Sequence, residues 1–289
     1  MAISSQHPDS LLVDRDESVG LQWSACVTDA DTGECLLEVS PERVLKTASV
    51  GKLFLLIEIA RQVDAGTLRL GEIIDRRTEA SVADSGIWYL LDAETMSIDD
   101  GCRLVGALSD NLATNVLIGR IGLEAVAATT RVLGYTRSEL IDRIRPDRQP
   151  EEHPPTLSRG TAGELADLFA RLGNGAVFSP SVSNRVLDWI GLNADLSMVA
   201  CAFGLDPLAH LEEDRGITLR NKTGSISTAR VDVGIVSSSQ RRLAYAVVAN
   251  WNDEAPIQTR DDVFAAMRAV GEWIGLILVR GMTPESAGR

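Results

Sequence analysis

The sequence predicts an α/β (α+β) chain, an antiparallel β-sheet flanked by helices with an inserted all-helical lobe. Two observations carry that expectation. Runs of strand-like composition stand near both ends of the chain, and between them the apolar pattern is helical and punctuated by glycines. With 289 residues, 45% of them hydrophobic, there is chain enough for one large domain or two closely packed ones.

In chain order, "GLQWSACVT" (20–28) and "ECLLEV" (34–39) are β-prone and flank "DADTG", whose Asp and Gly favour a turn, so a β-hairpin is expected. From Ser49, "SVGKLFLLIEIARQVDAG" is apolar on nearly every side and ends at Gly66, the pattern of a buried helix with a glycine cap. "SIDDGCRLVGALSDNLATNVLIGRIG" and "LEAVAATTRVLG" read as further helices stopped by Gly, and "TAGELADLFARLGNG" as another. The period then turns strand-like in "GITLRNKTGSI", "ARVDVGIVSS" and "RRLAYAVVANW". A last helix, "RDDVFAAMRAVGEWIGLILV", carries Asp261 and Asp262 in its first turn, where carboxylates suit the helix dipole. Residues 1–45 and 210–289 are therefore expected to form a sheet lobe and 46–209 a helical lobe, in one structural unit with the site between them.

A formal charge of −13 and a pI near 4.7 argue against a nucleic-acid partner, which needs clustered Lys and Arg. Cys26, Cys35, Cys102 and Cys201 are scattered, without a C-x-x-C pair, and are expected as reduced core residues. The first twenty residues lack a basic start followed by an apolar run, and no stretch approaches about eighteen uninterrupted apolar residues, so a cytoplasmic location without membrane association is expected. His7, His153 and His210 lack metal-ligand spacing, and neither a metal nor another cofactor is expected.

Of 28 basic residues only three are lysines: Lys46, Lys52 and Lys222. Lysine gives up its proton when its surroundings lower its pKa, whereas arginine does not. Two of the three fall in short motifs: Ser49-Val50-Gly51-Lys52, Ser109-Asp110-Asn111 and Lys222-Thr223-Gly224. On a helix, S-x-x-K puts serine and lysine on one face, and the apolar neighbours of Lys52 favour its neutral form, as a base requires. Ser49 stands where the helix should begin, so its backbone N–H is available to an oxyanion, and the Ser225 N–H offers a second donor. Ser109 and Asp110 also suit a helix N-cap, and "RNKTGS" also suits a strand ending in a turn.

The ordered triplet resembles the serine penicillin-recognising enzymes, the class A β-lactamases and their D,D-peptidase relatives, over roughly residues 20–280. The resemblance implies Ser49 as the acylated nucleophile, Lys52 as its base or proton relay, and Ser109 as proton donor to the leaving nitrogen. It implies Asn111 for a substrate amide, and Lys222 with Thr223, Gly224 and Ser225 for a substrate carboxylate. Arg230 is a further carboxylate anchor, and Trp88 or Tyr89 an aromatic gatepost, with packing as the alternative for either ring. Lys222 near Lys52 would also lower the Lys52 pKa by like-charge repulsion.

The chain departs from that family in "IDRIRPDRQPEEHPP" (141–155), which holds four of the ten prolines. The family's R-x-E-x-x-L-N loop supplies a glutamate that positions the deacylating water, but here Arg145 falls at the glutamate and Gln149 at the asparagine. Glu139, Glu151 and Glu152 are the nearby acids, as substitutes or as simple partners of the loop arginines. The expected activity is therefore a serine hydrolase that forms an acyl-enzyme on Ser49 with a lactam, ester or amide, and deacylates slowly. The alternatives are a cytoplasmic esterase, peptidase or transacylase of small-molecule metabolism, and a non-catalytic penicillin-binding-like protein. The expected partner is a small molecule with a carboxylate and an acyl group, bound by a monomer or homodimer.

Overall fold

The hairpin forms as β1 (Gln22–Asp29) and β2 (Cys35–Val39), and its turn is held by the Asp29 carboxylate, which accepts from the N–H groups of Asp31 and Thr32. The computed structural model describes residues 8–15 and 18–280. The predicted chain termini, 1–7 with His7 and 281–289, and residues 16–17 lie outside the described residues.

The chain continues through β3 (Leu45–Lys46), a 3-10 turn at Ala48–Gly51, α1 (Lys52–Asp64), β4 (Ile73–Asp75) and β5 (Thr95–Ser97). Then come α2 (Ile98–Leu108), α3 (Asn111–Ile121), α4 (Leu123–Val132), β6 (Glu139–Leu140), β7 (Ser158–Gly160), α5 (Ala162–Gly173) and α6 (Pro180–Trp189). A 3-10 segment at Val199–Phe203, β8 (Ile217–Ile226), β9 (Ala229–Ser238), β10 (Arg242–Asn250) and α7 (Gln258–Arg280) complete it.

Both ends of the chain build one antiparallel sheet in the order β2-β1-β10-β9-β8, with Gln22 opposite Asn250 and Asp29 opposite Leu243. Side chains alternate across it. On β10, Ala244, Ala246 and Val248 join the core beneath the helices, whereas Leu243, Tyr245, Val247 and Ala249 join the core beneath α7. Both faces of β10 are covered, which is why it is apolar from Leu243 to Ala249. The short β3, β6 and β7 form a second sheet and β4 pairs with β5, neither of which the sequence patterns announce. Residues 196–205, expected in the helical lobe, supply Leu196, Val199 and Phe203 to the α7-side core.

Helix α1 runs through the middle of the helical lobe, with every residue from Lys52 to Ala60 buried. The long helix expected over 97–122 breaks into α2 and α3, because Ser109 adopts φ 54° and Asp110 caps α3. Of the cysteines, all free, Cys26 and Cys102 are buried as expected, but Cys35 is exposed and Cys201 half-buried. Among the described residues no single helix is long and apolar enough to cross a membrane.

Helix α2 approaches the end of α6 so closely that a Cβ on Gly106 would lie 1.9 Å from the Trp189 carbonyl oxygen. Gly106→Ala should therefore lower the unfolding free energy by about 1–3 kcal/mol in urea denaturation, as overpacking does. An unchanged midpoint would contradict that contact.

Candidate active site

Ser49 sits in the 3-10 turn between β3 and α1, and 3-10 geometry stacks residue i over i+3, here Ser49 and Lys52. The turn is wedged between two neighbours. A Cβ on Gly224 of β8 would lie 2.4 Å from Thr47 O and 3.0 Å from Ser49 N. Near Gly51, a Cβ would lie 2.3 Å from Ser158 Cβ, so only glycine fits either place. Ser158 Oγ donates to Ala48 O at 2.6 Å and shares a 2.8 Å hydrogen bond with Thr47 Oγ1.

Strand β8 is the sheet's edge beside this turn. A two-residue turn, Ser227–Thr228, pairs Ile226 with Ala229. Counting back from that closing pair, Ile226 and Gly224 turn their peptide groups toward β9, while Ser225 and Thr223 turn theirs to the free edge. The N–H groups of Ser49 and Ser225 are thus held on neighbouring segments.

Lys52 is fully buried, and its Nζ donates to Ser109 O at 2.6 Å, Ser109 Oγ at 3.2 Å and Asn111 Oδ1 at 2.8 Å. The Ser49 hydroxyl is not among these partners. Burial, and then the charge of Lys222, pushes the Lys52 pKa well below the usual lysine value against the opposing pull of Asp110. Lys222 is also fully buried, donates to Thr223 O at 2.9 Å, and has its pKa lowered by burial to about 8 despite Asp195 and Asp232.

The second motif is built around Asp110. Its carboxylate accepts from Ala113 N at 2.9 Å, Ile87 N at 2.7 Å and Trp88 N at 2.8 Å, so it caps α3 and ties down the 85–88 segment. Asn111 Nδ2 donates to Ala83 O at 3.1 Å, which leaves one N–H and one lone pair of its amide uncommitted. Residues Ala48, Asp84 and Ser109 all have positive φ and all line the cleft, so backbone strain gathers there.

The cleft has a volume of about 920 Å³. Ser49, Ser109, Asn111, Thr223, Ser225 and Arg230 line it, while Lys52 and Lys222 lie behind that lining. Arg230 donates to Ile226 O and Ala229 O, and its guanidinium lies 5.7 Å from the Trp251 ring centre and 5.4 Å from that of Phe264. The gatepost expectation for Trp88 is corrected. Its side chain is fully buried, its indole N–H donates to Ala93 O at 2.8 Å, and it does not line the cleft.

Residues 141–155 leave and rejoin the Ser49 turn beside Leu140 and Ser158, and they turn Ile144, Arg145 and Arg148 into the cleft. Asp142, almost fully buried, accepts from Arg145 Nε at 2.8 Å, Arg145 Nη2 at 3.1 Å and Arg148 Nη1 at 2.6 Å. Those bonds and the Arg143 N–H lower its pKa against the opposing effect of burial. Asn115 exchanges two hydrogen bonds with the backbone of Ile144, at 2.9 and 2.8 Å. Glu151 and Glu152 are exposed and Glu139 pairs with Arg159 at 2.6 Å; none of the three lines the cleft. The carboxylates that do are those of Asp84 and Asp195.

Sequence reasoning missed Asn115, Ser158, Asp195 and Arg260 at or around the cleft.

The family model of the beta-lactamase enzyme family matches residues 10–273. Over 176 residues the chain is 26% identical to a beta-lactamase of Rhodobacter capsulatus, across 61% of this chain and 59% of that relative, which is less than two thirds of the relative's length. The fold is similar to that of a beta-lactamase from Sphaerobacter thermophilus, with TM-score 0.74 and 24% identity over 90% of this chain and 94% of the other. It is also similar to a variant of PBP-A solved as its acyl-enzyme complex with penicillin G, with TM-score 0.74 and 21% identity over 94% of this chain and 96% of that one. At such identities the likeness to the solved structures is one of fold.

Removing the carboxylate that Arg145 and Arg148 share should loosen the cleft wall. Asp142→Ala is expected to cost about 2 kcal/mol of stability and to open residues 143–153 to limited proteolysis. A loop as resistant to protease as the wild type would show that the clamp does not hold it.

Proposed function

The chain belongs to the beta-lactamase enzyme family, and from that premise we propose that it is a serine hydrolase that forms an acyl-enzyme on Ser49 with a lactam, ester or amide. The observation that carries the reading is Lys52: a buried amine of depressed proton affinity, three residues from Ser49, whose partner Ser109 Oγ has a proton of its own to give.

In this reading neutral Lys52 takes the Ser49 proton as Oγ attacks the acyl carbon, and the oxyanion settles on the N–H groups of Ser49 and Ser225. Collapse breaks the bond to the leaving nitrogen or oxygen. Ser109 passes it a proton and regains one from Lys52, so the acyl-enzyme forms with no net proton change. Thr223, Ser225 and Arg230 receive the substrate carboxylate, with Lys222 supplying positive charge from behind them and Gly224 admitting the close approach. Asn111, already bonded to Lys52, positions the amine and retains one donor and one acceptor for a substrate amide.

Hydrolysis of that ester needs a base for water. The 141–155 wall brings Arg145 and Arg148 but no carboxylate to the cleft; Asp84 and Asp195, which do line it, belong to other segments, and the Asp195 Oδ1 is taken up by the N–H and hydroxyl of Ser197 at 3.1 and 2.6 Å. These groups support slow deacylation, and hence weak β-lactamase turnover. The direct test is intact-mass spectrometry after addition of benzylpenicillin. A persistent adduct of one penicillin on the wild type and none on Ser49→Ala is expected; an unlabelled wild type would defeat the reading.

The pH dependence follows from the two lysines. Acylation rises as Lys52 loses its proton, and Lys222, depressed to about 8, is a cation only below that pH. Acylation by nitrocefin, which bears a carboxylate, should therefore fall above about pH 8, whereas acylation by the uncharged p-nitrophenyl acetate should not. Identical high-pH limbs for the two donors would remove Lys222 from carboxylate binding.

A further inference from the structure

The cleft inverts the charge of the molecule. Although the chain carries a formal −13, the charged side chains lining the cleft are Lys46, Arg145, Arg148, Arg230 and Arg260 against Asp84 and Asp195. A cationic cleft in an acidic surface concentrates anions there, and more so where its walls exclude water.

The cations stand on two separate walls. Arg230 on β9 and Arg260 in the first turn of α7 are near enough for the charge of one to lower the pKa of the other. Lys46 lines the same cleft, and neither Lys46 nor Arg260 has an acidic partner among the described residues. Together with Thr223 and Ser225 they provide for one carboxylate.

Arg145 and Arg148 belong to the other wall. They share Asp142, so this group of three keeps one net positive charge. Arg145 binds through Nε and Nη2, which leaves Nη1 uncommitted in a guanidinium whose orientation Asp142 already fixes. The neighbouring peptide is fixed by Asn115, which lowers the ordering cost that an anion would have to meet. The two groups belong to different segments, with separate partners: Asp142 and Pro154 O on the loop side, Ile226 O and Ala229 O on the β9 side.

We infer that the substrate is anionic at both ends, with an acidic group on the acyl portion that Arg145 and Arg148 bind, beside the carboxylate received by β8 and Arg230. This rests on the acyl-enzyme reading and narrows it to acyl donors with an acidic acyl side chain.

Benzylpenicillin and carbenicillin form a matched pair, since carbenicillin adds one carboxylate to the acyl side chain. Carbenicillin should acylate the wild type about tenfold faster, and this ratio should fall towards one in Arg145→Gln. Arg131→Gln, which alters an exposed residue paired with Glu124, should keep the wild-type ratio. Should Arg145→Gln fail to fold, the wild type still decides: its ratio should shrink several-fold between about 20 mM and about 0.5 M NaCl. Calorimetric affinities of Ser49→Ala for the two penicillins should show the same preference without acylation. Equal rates and equal affinities, or a ratio untouched by Arg145→Gln or by salt, would overturn the inference. Absence of any adduct would overturn the acyl-enzyme reading instead, and the calorimetric ratio would then judge the charge preference alone.

Discussion

Lys52 is an amine cut off from water, and its three hydrogen bonds run from α1 to Ser109 and Asn111 at the junction of α2 and α3. A buried amine without acceptors would be costly, so the junction must present its oxygens at that point. This accounts for the break in an otherwise helical run: Ser109 adopts a left-handed conformation, which turns its carbonyl and hydroxyl toward Lys52. Asp110 then restarts the helix and holds the 85–88 segment over the cleft. The lysine, the broken helix and the cleft wall form one arrangement, and the second lysine, Lys222 on β8, lowers the proton affinity of the first.

Much of the fold was legible because its determinants are local. The hairpin around residues 29–33 declares itself by its Asp and Gly, and β8 to β10 by apolar runs broken at Ser227–Thr228 and around Gln240. The buried helix α1 is apolar all round. Helix α6 had a readable start, Ser179 followed by Pro180, whose signal went unused. The helix break was half legible: Ser109 and Asp110 offered an N-cap, which Asp110 fills, but the left-handed conformation of Ser109 answers to a lysine 57 positions away.

The site divides in the same way. Its chemistry-bearing residues stand in short motifs, and Ser49, Ser109, Asn111, Thr223 and Ser225 do line one cleft. What supports them is non-local: Ser158 grips the turn that carries Ser49 from 110 positions away, and Asn115 holds Ile144 from 29 away. Trp88 misled because an aromatic in a short apolar run such as "GIWYLL" suits a cleft rim and a core plug equally. The bond to Ala93 and complete burial decide for the core.

Residues 141–155 give the protein its individual character. Asp142 is spent on two arginines, so the wall that faces Ser49 carries positive charge in place of an available carboxylate, and its four prolines stiffen it. The central claim is that such a cleft acylates readily and hydrolyses its ester poorly. Stopped-flow mixing with excess nitrocefin tests it most directly. The account predicts a burst of about one product per protein followed by a slow steady rate. Linear release of many equivalents with no burst would contradict it.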